Sequence, residues 1–419
     1  MSPAQFANSR RRWQPRHTVL VLMWLVYGCL YLNRLNLAPV IPLIMEDLKI
    51  SHAQVGVITS FFFIFYTVSQ FLTGYLSDIQ GPRRVITFGG TVSVVASLFF
   101  SVGTNQSHLV GAQALNGLGQ GAGWAPSLKL VNAWFPPTKK GRVLGIYATS
   151  ISIFTILTYA LAGYIGKTLG WRMVFRVFPV FLMCVLFIFW MIVRDHPQGR
   201  GGAGIPARHL GPVDKPLKNR NRYVTVISNR GFRLASAGFA CLLYISYTYL
   251  IWVPSYLYEC YGLGVGKEAL LTSLYPALGL LARPLGGHLS DVNFGGRRKP
   301  LILIGFSFIL VANFFLGFAN HLGWAFSLIL CVGFFDQLIV TLFVALLLDM
   351  LPQELTGTGA GLFEAIGHMA TVCAMFFSGL LVDVFGSYSP VFLTLSILAV
   401  AGIVSLLCIR EGKYRIFSQ

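Results

Sequence analysis

The stretch Gly74 to Arg84 reads GYLSDIQGPRR, and it returns in the second half of the chain as GHLSDVNFGGRR, from Gly287 to Arg298. A second set of echoes recurs at nearly the same spacing as the two motif glycines. It pairs Phe135-Pro136 with Leu351-Pro352, Gly141 with Gly357, and Gly145 with Gly361. Two independent echoes at nearly equal spacings predict a chain built from two related halves.

The composition around these motifs is that of a membrane protein. The 419 residues include only 11% charged residues, whereas a soluble domain carries about 25%, and the mean hydropathy is +0.68. Apolar runs recur along the whole chain, and a helix needs about 20 apolar residues to span a bilayer. The runs are continuous and lack the alternation of barrel strands, so they predict membrane-spanning helices.

These runs predict an all-α membrane protein with twelve transmembrane helices in two pseudo-symmetric six-helix bundles. The first six spans are predicted at 18–44, 53–76, 85–104, 108–134, 143–166 and 173–193. The second six are predicted at 232–257, 269–290, 300–319, 324–349, 357–382 and 389–409. Pro39 and Pro42 predict a bend near the outer end of the first span.

The stretch 194–231 is the most polar part of the chain and is rich in Pro, Gly, Arg and Lys. It is predicted to be a cytoplasmic linker between an N-terminal bundle at 17–193 and a C-terminal bundle at 232–409. A cytoplasmic basic tail is predicted at 1–16 and a second cytoplasmic tail at 410–419.

The formal net charge is +18, and its placement is asymmetric. If the spans alternate, every basic cluster falls on one side: Arg10–Arg12, Arg16, Arg83–Arg84, Lys139, Lys140, Arg142, the linker, Arg297–Lys299, Arg410, Lys413 and Arg415. The opposite loops hold only scattered basic residues. This pattern predicts a multi-pass protein of the plasma membrane, the inner membrane in a bacterium, with both termini in the cytoplasm. The basic surface is expected to meet lipid headgroups and not nucleic acid.

The repeated motif predicts a gate at the cytoplasmic ends of the second and eighth spans. The two motif glycines are expected to allow close helix packing, and the two aspartates to form and release ion pairs with neighbouring arginines. The alternative is an ordinary basic turn without a gating role. The predicted gating residues are Gly74, Asp78, Arg83, Arg84, Gly287, Asp291, Arg297 and Arg298.

With this motif, the chain resembles the major facilitator superfamily over nearly its whole length. It is most similar to the organophosphate:inorganic phosphate antiporter and anion:cation symporter branches. Four stretches carry the similarity: YLNRLNLAPVIP at 31–42, GLGQGAGWAPSLKLVNAW at 117–134, RDHPQ at 194–198, and Pro352 with GTGAGL at 357–362. The resemblance implies two bundles that rock about a central site in alternating access.

Several positions depart from the phosphate-ester branch. The resemblance implies an Arg in the seventh helix, a Lys in the second and a His in the fourth, but these places hold Ser246, Gln70 and Ala133. Of that cationic set only Arg34 remains, which favours a monoanion such as a carboxylate over a doubly charged phosphate ester. Anion:cation symporters often carry an acid beside this Arg, and here the residue is Asn33.

Ionisable residues inside predicted spans are candidate sites, because each costs at least about 2.5 kcal/mol on insertion scales. Arg34 is predicted to bind an anion through its guanidinium fork, with Arg283 as a second contact from the opposite half. The alternatives are snorkelling of Arg34 and pairing of Arg283 with an acid in its own bundle. The predicted substrate-binding residues are Arg34, Asn36, Gln70, Lys129, Tyr247 and Arg283.

Three further residues form a predicted proton-coupling group. Glu364 and His368 are four residues apart and therefore share a helix face, and Asp336 lies midway along the tenth span. Carboxylates and histidines inside membrane spans are typical of proton relays. The alternative is that one of them neutralises Arg283 permanently.

These features predict a secondary active transporter for a small organic anion, with a carboxylate-type monoanion favoured and protons as the coupling ion. Two alternatives stay open: a sugar-phosphate/phosphate antiporter, and a transporter-like sensor that binds its ligand without net flux. No nucleophile–base pair, metal cluster or phosphate-cradling loop is evident, so we expect neither an enzyme nor a cofactor or metal site. The expected partners are the anion, protons and membrane lipids, with no nucleic acid, and the protein is expected to be monomeric.

Overall fold

The computed structural model describes residues 14–197, 219–351 and 355–409. Over these ranges the chain forms sixteen α-helices and one short 3₁₀ helix, and no β-strand occurs in them. The predicted basic tail up to residue 13, the central part of the predicted linker, Pro352 and the tail from residue 410 lie outside the described residues.

Eight helices build the first half. They are α1 (Pro15–Leu35), α2 (Ile41–Leu48), α3 (His52–Gln80), α4 (Pro82–Ser101), α5 (Gln106–Gln120), α6 (Trp124–Trp134), α7 (Pro137–Leu169) and α8 (Trp171–Ile192). A 3₁₀ turn at Ala38–Val40 joins α1 to α2, so the first span is broken where its prolines predicted a bend. The pair α5 and α6 forms a second broken span.

The second half holds the other eight helices. They are α9 (Asn219–Ser228), α10 (Arg230–Tyr261), α11 (Lys267–Ala277), α12 (Gly279–Val292), α13 (Lys299–Leu316), α14 (Leu322–Met350), α15 (Thr356–Phe385) and α16 (Ser389–Leu407). The short helix α9 falls in the stretch predicted as linker and packs on α10 and α15, with Val226 buried. The pair α11 and α12 forms a third broken span.

Twelve spans result, and the predicted fold is confirmed. Within the described ranges, ten helical segments are long and apolar enough to cross a membrane on their own. The remaining two spans are the broken pairs α5–α6 and α11–α12. Several helices run a few residues beyond the predicted limits; α7, for example, covers Pro137–Leu169 where 143–166 was predicted.

Glycines bring the broken fourth span close to its neighbour α3. A Cβ atom at Gly117 would lie 2.3 Å from the carbonyl oxygen of Phe62, and one at Gly121 would lie 2.5 Å from the Cβ of Ser69. Neither position has room for a larger residue, so the backbones of α5 and α3 pack directly on each other. This contact holds the end of α5 beside the middle of the bundle.

The two bundles meet tightly on one side of the molecule. We define the linker side as the side on which α8 ends and α10 begins, and the far side as the opposite one. On the far side, a Cβ atom at Gly56 of α3 would lie 2.6 Å from the carbonyl oxygen of Met375 of α15. One at Gly379 of α15 would lie 2.4 Å from the carbonyl oxygen of His52. The start of α3 therefore touches the end of α15 backbone to backbone.

Polar contacts reinforce this closure. The carboxylate of Asp383 accepts from the backbone N–H groups of His52 (3.1 Å) and Ala53 (2.7 Å), so a residue of the second bundle caps a helix of the first. The His52 ring lies 2.9 Å from Asp383 and 2.9 Å from Glu259. These contacts close the gap between the two bundles on the far side.

Candidate functional site

A cavity of about 380 Å³ lies between the two bundles, with walls from both halves. Four of the six predicted substrate-binding residues line it: Arg34, Gln70, Tyr247 and Arg283. Glu364 and His368 of the predicted proton-coupling group line it too. The two halves of the repeat therefore bring their ionisable side chains to one place.

Arg34 lies at the end of α1 and is only 6% exposed. Its Nε and Nη2 both donate to Oε1 of Gln120, each at 3.4 Å. The rings of Tyr31 and Tyr66 lie 4.5 and 4.4 Å from its guanidinium carbon, within the range of cation–π attraction. This burial excludes the snorkelling alternative, because the cation is held inside the bundle.

Neutral groups anchor the amide that holds Arg34. The Nε2 of Gln120 donates to the carbonyl oxygen of Leu30 at 2.8 Å and to Oγ of Ser93 at 3.2 Å. Since Gln120 is fully buried, the orientation of its amide is fixed by these contacts. Arg34 and Gln120 together are called the first clamp below.

Arg283 of α12 is held in the same manner from the opposite bundle. Its Nε and Nη2 donate to Oε1 of Gln337, at 3.1 and 2.7 Å. The Nε2 of Gln337 in turn donates to Oδ2 of Asp336 at 2.8 Å, and the hydroxyl of Ser246 donates to Oδ1 of the same carboxylate. Arg283 and Gln337 are called the second clamp, and it reaches an acid of its own bundle only through the glutamine.

The predicted proton-coupling residues do not form a single cluster. Glu364 and His368 lie on one helix face as expected, with 3.7 Å between Oε2 and Nε2. The Glu364 side chain is 43% exposed in the cavity, and the Tyr66 ring lies 5.1 Å from the His368 ring. Asp336 is fully buried behind the cavity wall, where Ser246 and Gln337 cover it.

Two predicted substrate-binding residues lie outside the cavity lining. Asn36 is fully buried just beyond the end of α1, behind the site. Lys129 forms an ion pair with Asp78 on the linker side. Position along a span does not fix the direction of a side chain, and the site proposed below does not include these two.

The second copy of the gating motif makes the expected ion pair. Arg298 Nη1 lies 2.5 Å from Oδ1 of Asp291, and its Nε lies 3.5 Å from Oδ2 of Asp349 at the end of α14. The motif thus links the linker-side ends of α12 and α14. Arg297 lies in the same turn, where its backbone N–H donates to the carbonyl oxygen of Phe294.

The first copy is arranged differently. Its aspartate pairs with Lys129 of α6 and not with an arginine of the motif. Arg83 instead donates to the carbonyl oxygen of Trp190 at 2.5 Å and stacks on that ring at 3.9 Å, while Arg84 lines a membrane-facing groove beside α8. The two copies therefore share sequence but not ion pairing.

The expectation of close packing at the motif glycines is wrong for this conformation. A Cβ atom at Gly74 or Gly287 would meet nothing within 4 Å. The reason is the closure of the far side, since the linker-side ends of α3 and α12 then face open space. Neighbouring Gly286 is the tight position, where a Cβ would lie 2.9 Å from the carbonyl oxygen of Leu338.

The clamp glutamines were missed by the sequence analysis. Candidate site residues were selected by their charge inside a span, and a glutamine amide is neutral. Gln120 and Gln337 nevertheless orient the two cavity arginines. The repeat offers a signal, because the spacing between the two glutamines is close to that of the motif glycines. Ser246 was noted only as a missing arginine, but it lines the cavity and donates to Asp336.

Comparison with known proteins agrees with this architecture. A family model described as Major Facilitator Superfamily matches residues 23–368 and 268–415. The hexuronate transporter of Bacillus subtilis (strain 168) is 27% identical over 393 residues, which cover 91% of this chain and 92% of that protein. A probable hexose phosphate transport protein of Chlamydia trachomatis is 25% identical over 384 residues, covering 86% and 83%. These relatives fit the two branches to which the sequence was compared.

A solved structure supports the fold. It is a bacterial homologue of the human lysosomal transporter Spinster, in an inward-facing and unoccupied conformation. The two proteins share 16% identity with a TM-score of 0.77 over 94% of each chain. At this identity the likeness concerns the arrangement of the helices alone.

Proposed function

Because this chain belongs to the Major Facilitator Superfamily, we propose that it moves a small organic anion across the membrane by alternating access. It is a multi-pass membrane protein and, like its named relatives, not an enzyme. The observation that carries the proposal is the pair of clamps: two arginines from opposite bundles line one cavity, and each is held by a glutamine. An anion bound between the two arginines would contact both halves of the protein at the same time.

The clamps leave donors free for the anion. A guanidinium has five N–H donors, and in each clamp the glutamine oxygen accepts from Nε and Nη2 alone. The remaining edge suits a carboxylate. The cavity volume of about 380 Å³ falls in the usual range for small-molecule sites, about 300–1,000 Å³.

We favour a carboxylate-type monoanion, coupled to protons. Glu364 and Asp336 set two negative charges against the two arginines, so a monoanion that enters with one proton keeps the charges balanced, whereas a dianion would need two protons. Glu364, His368 and Asp336 are the proposed proton-coupling residues. Gln70 and Tyr247 complete the substrate-binding set, because both line the same cavity.

The linker side is proposed to be cytoplasmic. Its loops hold the basic clusters, whereas the far side holds few basic residues. The closed far side then corresponds to an inward-open state of a plasma membrane protein with both termini inside. We propose that it works as a monomer, with anionic lipids around its basic surface.

A sugar-phosphate/phosphate antiporter is the second candidate. Arg283 favours it, since it supplies a second cation from the C-terminal bundle although the seventh-span position holds Ser246. The hexose phosphate relative named above points the same way. A phosphate ester would need both arginines and would have no need of the acids.

Transport by reconstituted protein tests the proposal. Proteoliposomes receive radiolabelled D-glucuronate, a hexuronate, under an acid-outside pH gradient, and parallel vesicles loaded with phosphate receive radiolabelled phosphate. We expect glucuronate accumulation that a protonophore abolishes, and no phosphate exchange. Phosphate exchange without glucuronate uptake would replace the proposal by the antiporter. Glucuronate binding without any flux would instead support a sensor.

A further inference from the structure

The two clamps have the same geometry but different anchors. In the first clamp, Gln120 donates to a backbone carbonyl and a serine hydroxyl, neither of which titrates. In the second clamp, Gln337 donates to the carboxylate of Asp336. That carboxylate is fully buried and receives a second hydrogen bond from the hydroxyl of Ser246.

We propose that Gln337 is a positioning residue that makes the availability of Arg283 for the anion depend on the protonation of Asp336. The inference rests on the proposed transport function and deepens it, because it assigns the proton and the anion to one hydrogen-bonded chain. It also assigns different tasks to the two clamps.

The ionised state corresponds to the observed geometry. An ionised carboxylate only accepts hydrogen bonds, so it holds the NH₂ group of Gln337. The amide oxygen of Gln337 then faces Arg283 and accepts two of its N–H groups. In this state the second clamp is shut, and the buried acid balances the charge of the arginine.

Protonation reverses the amide. A proton from the cavity adds to Oδ2 of Asp336 and forms an O–H donor there, with no other bond made or broken, while Oδ1 continues to accept from the hydroxyl of Ser246. That donor requires an acceptor, and rotation of the Gln337 amide supplies its oxygen. The NH₂ group then faces Arg283, which loses its acceptor and its counter-charge together. An anionic substrate becomes the partner that restores both.

Besides Ser246 and Gln337, two groups among the described residues face Asp336 on α14. Arg283 faces it from α12 and the hydroxyl of Tyr275 faces it from α11, whereas Tyr249 on α10 donates its hydroxyl to Asn313. The contact of α13 on α14 is apolar, with Phe308 stacked on Phe335 at 4.2 Å. On α15, Glu364 and His368 face the same cavity from its other wall.

A chemical probe of arginine tests this without any substrate. Phenylglyoxal modifies guanidinium groups, and peptide mass spectrometry gives the modified fraction of Arg283 and of Arg34 in the same purified full-length protein. Their ratio cancels the pH dependence of the reagent. From about pH 8.5 to about pH 6, a range in which perturbed carboxyls titrate, we expect the ratio of Arg283 to Arg34 modification to rise severalfold.

Variants distinguish the proposed coupling of Asp336 through Gln337 to Arg283, called the relay, from a general loosening of the structure. In Asp336→Asn and in Gln337→Met the ratio is expected to be high and independent of pH. In the matched control Gln120→Met, Arg34 reacts faster at every pH. The ratio of Arg283 to Arg34 modification is then lower than in the wild type but changes with pH to the same extent. Each variant is first checked for a single peak in gel filtration, and the wild-type profile decides if Asp336→Asn does not fold.

Two results would overturn the relay: a wild-type ratio that does not change with pH, or the same slope in Asp336→Asn as in the wild type. The reagent needs no transport, so failure of the glucuronate assay and failure of the relay are distinguishable. A sloping ratio in a protein that does not transport glucuronate would keep the relay and remove only the proposed substrate.

Discussion

The first and second clamps differ in where the repeat places their parts. The glutamines occupy nearly equivalent positions of the two halves. The arginines do not: when the two motif glycines are aligned, Arg34 corresponds to Tyr247, and Arg283 corresponds to Gln70. All four of these positions line the cavity. The repeat therefore places the two clamp glutamines at equivalent positions, whereas the two arginines come from non-equivalent helices, Arg34 from α1 and Arg283 from α12.

Their anchors differ as well, and this difference suggests a division of labour. The first clamp is enclosed by tyrosines and fixed by neutral groups, so its arginine presents the same face to the cavity at every pH. The second clamp rests on a buried acid, so its arginine can change with proton occupancy. A site of this kind needs one constant contact to recognise the anion and one variable contact to couple it.

Removing the constant contact is expected to have the largest effect. Arg34→Lys should lower kcat/KM for D-glucuronate about 100-fold. The lysine ammonium lacks the planar fork of arginine, so it cannot donate to Gln120 and to both oxygens of a carboxylate at the same time. Initial uptake rates in proteoliposomes with equal protein content measure this. Arg176→Lys, on α8 and outside the cavity lining, is the matched control and should transport normally. Unchanged kinetics in Arg34→Lys would remove Arg34 from the site.

Replacing Asp336, the acid that anchors the second clamp, by a neutral residue should remove the difference in pH response between the two clamps. In the wild type we expect the KM for D-glucuronate to rise about tenfold from acid to alkaline pH, a coupling of ordinary size. In Asp336→Asn this dependence should become much shallower, because the amide no longer titrates and only Glu364 and His368 in the cavity lining still do. Uptake at a series of pH values measures it. Asp47→Asn, at a partly exposed far-side carboxylate paired with Arg172, should keep the wild-type profile; a retained profile in Asp336→Asn would contradict the division of labour.

Weakening the variable contact should cost less than weakening the constant one. Arg283→Lys is expected to raise KM about tenfold, since one charge-assisted contact is weakened while Arg34 remains. The loss should be greatest at acid pH, where the second clamp is open. Competition of unlabelled D-glucuronate against labelled D-glucuronate measures it. A loss as large as that of Arg34→Lys would indicate two equal contacts, as expected for a phosphate ester.

The glutamines give the smallest and sharpest contrast. Each Gln→Leu change should alter KM by about threefold to tenfold, the usual net worth of one intramolecular hydrogen bond. Gln120→Leu should shift KM equally at every pH, whereas Gln337→Leu should flatten the pH profile. Parallel pH profiles of the two variants measure the difference. Identical profiles would mean that the anchors are not functionally distinct.

Much of the fold follows from hydropathy and the repeat, because burial in lipid leaves a strong compositional signal. Arg34, Arg283 and the pair Glu364 and His368 could be predicted, since charges inside a span are costly and therefore informative. The depth of Asp336 could not be predicted, because it depends on which side of α14 faces the neighbouring helices.

Other parts of the site depend on rotation about a helix axis, which spacing alone leaves open. Lys129 is near enough in sequence to reach the cavity but turns to Asp78. The proposed alternating access requires two bundle arrangements from one sequence, so the sequence could not predict which side is closed. The clamp glutamines carry no charge, so only the repeat could have selected them among the many polar residues of the spans.

The broken spans also have a consequence for how the protein is made. Neither α5–α6 nor α11–α12 is among the segments that are long and apolar enough to cross a bilayer on their own. A segment of that kind is poorly recognised as it leaves the ribosome and depends on neighbouring helices for its insertion. α4 precedes the first pair and α10 precedes the second, and both are apolar enough to cross a bilayer on their own. Synthesis would therefore insert the fourth and the eighth span each beside a helix that has already been made.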